Sequence, residues 1–286
     1  MFNITNRKIR NQYQFEMLRQ MIILERIGAR ELVPIMNKQY RLAAKLVKNG
    51  VYNSTAPVNM FSDSLFAVFN NHFKRTAKIF LRRSFNEINK KGIQVPIIKK
   101  DKDKDKKRYL WLFLLAFIGK ESAKTTEEIN GTTKSLIQII INKGFLAGKT
   151  NDEIAKDLVD IGLISNKRRA MRAARTETHT IAVHTMNETV KVSGVANIKE
   201  WITARDERVR VEPFDHRAAD GEKVGINEMF ILTGEPMEYP GDPGGSIGNV
   251  VNCRCICGYS TLNKSKNRYI EHKPVPAELQ TNGGYI

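Results

Sequence analysis

Apolar residues recur at helical spacing along most of the first 190 positions of the chain. Between residues 6 and 49 they fall at Leu18, Ile22, Leu32, Ile35 and Met36, with Glu25 as a polar break and Thr5 or Asn6 placed as an N-cap. This pattern predicts a long helix that Pro34 kinks or divides. The turn NGVYNSTAPVN separates it from a second amphipathic stretch, about Ser62 to Lys91, with Leu65, Phe66, Phe69, Phe73, Ile79 and Phe80 on its apolar side. The two read as an antiparallel pair, a helical hairpin arm over residues 1–91. Gly92 and Pro96 then break the periodicity, and alternating Lys and Asp up to residue 108 predict a solvated loop or linker over 92–108.

Helices are predicted next near 108–123, 132–147, 151–161 and 166–192, which makes 109–192 a helical region. The run YLWLFLLAFI at 109–118 is about half the roughly 20 residues a spanning helix needs. It reads as a buried helix, and no membrane partner is expected. Thr150 or Asn151 caps the segment DEIAKDLVDI, whose early acids suit the helix dipole. GFLAGKT at 144–150 has three residues between its glycines where a phosphate-binding loop has four, so it reads as a helix end and a new start. From Gly194 the pattern changes. IKEWITARD and CRCICGYS alternate as strands do, and EPMEYPGDPGGSIGN at 235–249 reads as a structured loop. The expected fold class is α+β: a long helical N-terminal part, then a small α+β C-terminal domain with its β-containing part at 193–262 and a tail at 263–286.

Charge narrows the functional classes. Lys and Arg number 47 against 30 Asp and Glu, a net +17, and a surface so unbalanced repels itself unless a polyanion offsets it. Nucleic acid is the first candidate partner, because the excess is clustered. Residues 1–50 hold 10 basic and 3 acidic side chains, residues 74–108 hold 14 and 4, and a third cluster follows Asn166. The candidate phosphate contacts are Lys74, Arg75, Lys78, Arg82 and Arg83 on the second helix and Lys167, Arg168, Arg169 and Arg172 on the last. The polar opening MFNITNRKIR has no signal-peptide pattern, so secretion is not expected. The 3 cysteines lie one residue apart from each other, which suits thiols in a reducing cytosol better than a disulfide. Asp101, Asp103 and Asp105 match the start of a calcium loop, but the glycine and late glutamate of that loop are missing.

A series of short motifs then runs in one order: GKTNDEIA at 148–155, Arg175-Thr176-Glu177, a WITARDERVR strand from Trp201, His216 followed by Asp220-Gly221, PGDP at 240–243 and NCRC at 252–255. This order, over roughly residues 130–258, resembles the phage Mu F-like, or phage head morphogenesis, family of minor capsid proteins. The resemblance implies a non-enzymatic protein of the head interior, made in the host cytoplasm during assembly. It would associate with the portal protein and with packaged double-stranded DNA without sequence preference, and would be a candidate for ejection with the genome. Scaffold and major capsid protein are further candidate partners. EPFDHRAADG lengthens the usual approach to the histidine, and Cys257 is an additional thiol.

The polar residues of this stretch admit two readings. In the favoured one, Arg175, Glu177, Trp201, Asp206, Arg208, Arg210, His216, Asp220, Asn252 and Arg254 form a structural network, with Trp201 as a core anchor. In the other, His216 beside Asp215 and Asp220 is a general base, and the protein is a metal-dependent enzyme acting on nucleic acid. On a strand Cys253, Cys255 and Cys257 would share one face. Zinc on His216, Cys253 and Cys255 is the one cofactor these residues admit, although C-x-C holds its sulfurs less comfortably than C-x2-C, so small packing thiols without a cofactor are favoured. His179 and His184 lie five apart on a helix and point in different directions.

Overall fold

The computed structural model describes residues 7–90, 100–204 and 206–260. Four long helices, α1 (Arg7–Lys48), α3 (Ser62–Lys90), α4 (Lys100–Leu146) and α5 (Asn151–Ser193), are joined by the short α2 (Thr55–Met60) and by loops. After α5 come β1 (Ile198–Ile202), β2 (Lys223–Gly225), β3 (Phe230–Leu232), β4 (Glu235–Met237), α6 (Ile247–Val250) and β5 (Ile256–Ser260). The fold is α+β.

Helix α1 buries Tyr13, Met17, Met21, Leu24, Gly28, Leu32, Met36, Tyr40, Ala43 and Val47, a stripe stepping by three and four residues. It is displaced from the expected one: Ile22 is 38% exposed, and Met17 and Met21, unbranched and adaptable, occupy the core positions instead. Pro34 neither divides the helix nor ends it. Its exposed position leaves the lost hydrogen bond open to solvent, and packing on the opposite face holds the turns on either side together. The expected cap at Thr5 or Asn6 lies outside the described residues.

The stretch expected as a linker is helical from Lys100, and α4 fuses the two helices expected at 108–123 and 132–147. Asp103 stands three and four residues before Lys106 and Lys107, a spacing that favours a helix over a loop. The backbone of Asp101, Asp103 and Asp105 is therefore helical, unlike that of a calcium loop. The apolar run within α4 is amphipathic rather than buried all round: Leu110, Leu114 and Ile118 are buried, whereas Tyr109, Leu112 and Phe113 are 73%, 53% and 51% exposed. Among the described residues no helix is long and apolar enough to cross a membrane. Helix α5 likewise joins two expected helices. At its start Thr150 and Glu153 form a capping box: the Thr150 N–H donates to Glu153 Oε2 at 2.7 Å, and the Glu153 N–H to Thr150 Oγ1 at 3.3 Å.

The chain divides into two compact units, and each long helix contributes to both. The helical unit comprises Ile22–Thr76 and Phe113–Thr178. One of its cores gathers Tyr40, Ala43, Val47, Ile137, Ile141, Ile154 and Leu158. Polar layers pass through it as well. Gln39 Nε2 donates to Asn130 Oδ1 at 2.9 Å, and Asn166 Nδ2 donates to Asn37 Oδ1 at 3.0 Å. At Gly28 α1 comes so close to α3 that a Cβ would lie 2.8 Å from His72 Cε1.

The second unit comprises Met1–Met21, Ala77–Leu112 and His179–Ile286. Its sheet has the order β2-β1-β5, all antiparallel, with Trp201 opposite Cys257 and Glu200 opposite both Lys223 and Gly258. β3 and β4 form a separate hairpin whose turn residues, Thr233 and Gly234, both have positive φ (50° and 83°), as a two-residue turn between twisted strands requires. Trp201 is fully buried, packed edge-on against Phe230 at 5.3 Å and His216 at 5.8 Å.

His72 offers a pH test of the helical unit. Its Nε2 lies 2.8 Å from Thr178 Oγ1, and burial lowers its pKa from 6.5 to about 4. The unfolded chain thus takes up this proton before the folded one does, so stability is complete above about pH 6.5 and is lost as pH falls toward 4. The loss from this group reaches at most roughly 3 kcal/mol at 1.36 kcal/mol per pKa unit. Denaturant titrations at pH 7 and 4.5 should show it, and His72→Asn should flatten the difference.

Candidate metal centre

His216 sits in the irregular stretch between β1 and β2, and Cys253 and Cys255 lie in the segment that joins α6 to β5. All three are buried, and one potential ligand atom from each lies within 4.8 Å of the others. Asn249 decides how the imidazole faces them. Its Nδ2 donates to Glu235 Oε2 and to Thr233 Oγ1, both at 2.9 Å, and a carboxylate can only accept, so Oδ1 is the end turned toward His216 Nε2 at 3.3 Å. This network assigns the ring proton to Nε2. The Nδ1 lone pair then faces Cys255 Sγ at 3.5 Å and Cys253 Sγ at 3.6 Å.

Asn252 makes this approach possible. Its φ of +58° is a left-handed conformation that asparagine tolerates, and it turns the chain out of α6 so that the next residue points inward. As a result Cys253 and Cys255 precede the strand, and only Cys257 lies on β5. The expected stripe of three thiols on one strand face does not form, and Cys257 stands apart, with burial pushing its thiol up to about 12. Of the close pair, Cys255 is raised by burial and by its neighbour Cys253. Cys253 is lowered even though burial opposes this, because Cys255 and the imidazoles of His179 and His216 outweigh it. Arg210 donates through Nη2 to the carbonyl of Val251, while its Nη1 is buried with no hydrogen-bond partner among the described residues. The two thiols are near enough to act on its charge.

The remaining network residues find other partners. Arg254 pairs with Asp206, which also accepts the backbone N–H of Arg208 at 3.1 Å. The Arg208 side chain itself is exposed and is not part of the network. Asp220 accepts from the Thr203 N–H at 3.0 Å and from Arg10 Nη2 at 2.7 Å. Asp215 accepts the backbone N–H groups of Arg217 and Ala218, so the two acids expected to flank a general base serve the backbone and Arg10 instead. Arg175 and Glu177 both belong to the helical unit. Arg175 pairs with Glu25 at 3.3 Å, while Glu177 is pushed up to about 8 by burial and then by Glu121 and Glu128. The helical histidines diverge as expected: His179 Nε2 lies 2.6 Å from the Cys255 carbonyl, and His184 Nδ1 lies 2.9 Å from the Tyr239 hydroxyl.

The basic candidates also separate. Lys78, Arg82, Lys167, Arg168 and Arg172 are exposed, with Lys78 lying over the Trp111 ring at 5.7 Å, and Lys74 is partly exposed. Arg169 is buried, donating to Thr133 Oγ1 at 2.8 Å and to the Ile129 carbonyl at 3.2 Å, so it is a structural tie rather than a phosphate contact. Arg75 is bidentate to Glu31, and Arg83 pairs with Glu16 and Glu87. Sequence reasoning missed Arg10, Tyr13 and Gln14 on α1. The Arg10 guanidinium pairs with Glu200 at 3.3 Å and with Asp220, Tyr13 donates its hydroxyl to the Cys257 carbonyl at 3.3 Å, and Gln14 Nε2 donates to the Thr203 carbonyl. Their positions continue the buried stripe of Met17 and Met21, and that continuation was the available signal.

Residues 136–257 match the model of the family described as Phage Mu protein F like protein. The match supports the resemblance that the order of motifs shows. It starts within α4, takes in all of α5 and the sheet unit's C-terminal elements, and ends at Cys257. The Phage Mu F-like segment links the protein, at a coarse level, to phage head morphogenesis and the virion. No curated protein and no solved structure matches the chain. Arg10 lies outside the matched segment and neutralises two acids inside it.

Two substitutions test the network. Arg10→Met removes the cation shared by buried Glu200 and part-buried Asp220, leaving Glu200 only Lys223 at 3.5 Å, and should lower stability by about 3 kcal/mol, measured by denaturant unfolding. In the PGDP loop, Gly241 has φ +78°, a Cβ there would lie 2.4 Å from His179 Nδ1, and Thr180 Oγ1 donates to its carbonyl at 2.9 Å. Gly241→Ala should therefore destabilise by about 2 kcal/mol or more, whereas Gly244→Ala, whose Cβ would meet only Asp242 Oδ1 at 3.2 Å, should be far milder.

Proposed function

We propose that this protein is a minor capsid protein that acts in head assembly of a tailed bacteriophage, is retained in the head interior, and contacts the portal protein and packaged double-stranded DNA. The match of residues 136–257 to the Phage Mu F-like family carries this reading. The charge of +17 supports its DNA half, and the candidate contacts Lys78, Arg82, Lys167, Arg168 and Arg172 are all exposed, the last three along α5. Such side chains neutralise phosphates by releasing counterions, which requires no base reading and no catalysis.

The test is DNA retardation by the purified full chain across a salt series. Binding should be independent of sequence and should weaken linearly in log–log form, by about 0.9 log unit of affinity per phosphate contact per log unit of salt. The triple variant Lys167→Gln, Arg168→Gln, Arg172→Gln should reduce that slope by about 2.7 if each side chain makes one contact. Loss of affinity with an unchanged slope, or no binding at low salt, would remove the DNA contact from the reading. Peptide counting on purified particles tests the head assignment, and absence of the chain from them would overturn it. Supercoiled plasmid incubated with the protein and divalent cations should stay supercoiled, whereas nicking would favour the metal-dependent nuclease.

A further inference from the structure

We propose that His216, Cys253 and Cys255 bind one zinc ion, which fastens the irregular segment between β1 and β2 to the segment entering β5. Zinc bonds of about 2.3 Å to sulfur and about 2.05 Å to nitrogen, set at a tetrahedral angle, place sulfur and nitrogen about 3.6 Å apart. The two distances from His216 Nδ1 are 3.5 Å and 3.6 Å. Thiol hydrogen bonds have similar lengths, but Nδ1 has one lone pair, and it cannot accept from both thiols at once. Two sulfurs converging on that lone pair form the edges of a shared coordination sphere.

The surroundings agree with a bound cation. Asn249 holds the far ring nitrogen through Nε2–H, the outer contact that commonly fixes the orientation of a ligating imidazole. Asn249 is in turn fixed by Glu235 and Thr233. The Trp201 ring closes one side of the imidazole, and Arg210 brings positive charge toward the sulfurs, as a pair of thiolates would require. Mixed thiolate and imidazole donors select zinc among the common divalent ions, since magnesium and calcium prefer oxygen. Among the described residues no fourth His, Cys, Asp or Glu joins the cluster, so a water molecule takes the fourth position. The histidine lies 37 and 39 residues from the two thiols, and a bond through the ion would join these two irregular segments directly, in addition to the pairing of β2 and β5 with β1.

Metal analysis of the untagged full-length chain, expressed with zinc and desalted, should give one equivalent of zinc. Cobalt substitution should produce an intense thiolate-to-cobalt charge-transfer band and the visible bands of a tetrahedral site. Excess chelator should lower the melting temperature, and added zinc should restore it. Cys253→Ser and Cys255→Ser should each lose most of the metal, and Cys257→Ala should keep it. If the serine variants fail to fold, native-state alkylation of the wild-type chain decides: Cys253 and Cys255 should be protected with zinc and modified after chelation, with Cys257 unchanged between the two. Metal content near zero with three reduced thiols, a Cys253–Cys255 disulfide in the intact mass, or cobalt bands that survive both serine changes would overturn the proposal.

Discussion

The buried guanidinium of Arg10 is the constraint on which the sheet unit depends. β1, β2 and β5 are five, three and five residues long, too short to bury a core of their own, and β1 carries the acidic Glu200 on its inner side. Arg10 neutralises that carboxylate and Asp220 together, while Tyr13 and Gln14 from the next turn of α1 bind the carbonyls of Cys257 and Thr203. A buried charge without its partner is far more costly than the pair, so the first turns of α1 are part of this unit. The first turns of the stretch expected as a helical hairpin arm thus share one unit with the C-terminal strands.

A second layer of fixed polar groups surrounds the thiols. Glu235 orients Asn249, Asn249 orients His216, and His216 presents one lone pair to Cys253 and Cys255. Each step removes one alternative orientation, because a carboxylate accepts only and an amide has distinct ends. The PGDP loop is held in the same way from α5, by His179 against Gly241 and by Thr180 on its carbonyl. Several residues in the family-matched segment thus act as a chain of hydrogen bonds, independently of whether any of them meets a ligand.

In the helical unit the same economy governs charge. Arg169 is consumed by Thr133 and the Ile129 carbonyl, Arg75 by Glu31 and Arg175 by Glu25, while Lys167, Arg168 and Arg172 stay exposed along α5. A net charge counts all of these alike, but only cations that face water can meet a polyanion.

The sequence by itself determined the α+β class, the helical character of most of the described residues before 190, a cap at Thr150 or Asn151, the burial of Trp201 and the resemblance of residues 136–257 to the Phage Mu F-like family. These rest on periodicity, side-chain chemistry and motif order, which are local properties of the chain. Helix length was not legible, because the extension back to Lys100, the fusion across residues 124–131 and the continuation through Pro34 come from packing elsewhere along α4 and α1. Nor was the site: that His216 meets two thiols and not three depends on the left-handed turn at Asn252, and that Asp220 serves Arg10 rather than the histidine depends on a contact 210 residues distant along the chain. Only the tertiary structure decided these pairings, since spacing fixes which way a side chain leaves its own element and carries no information about which element will lie opposite.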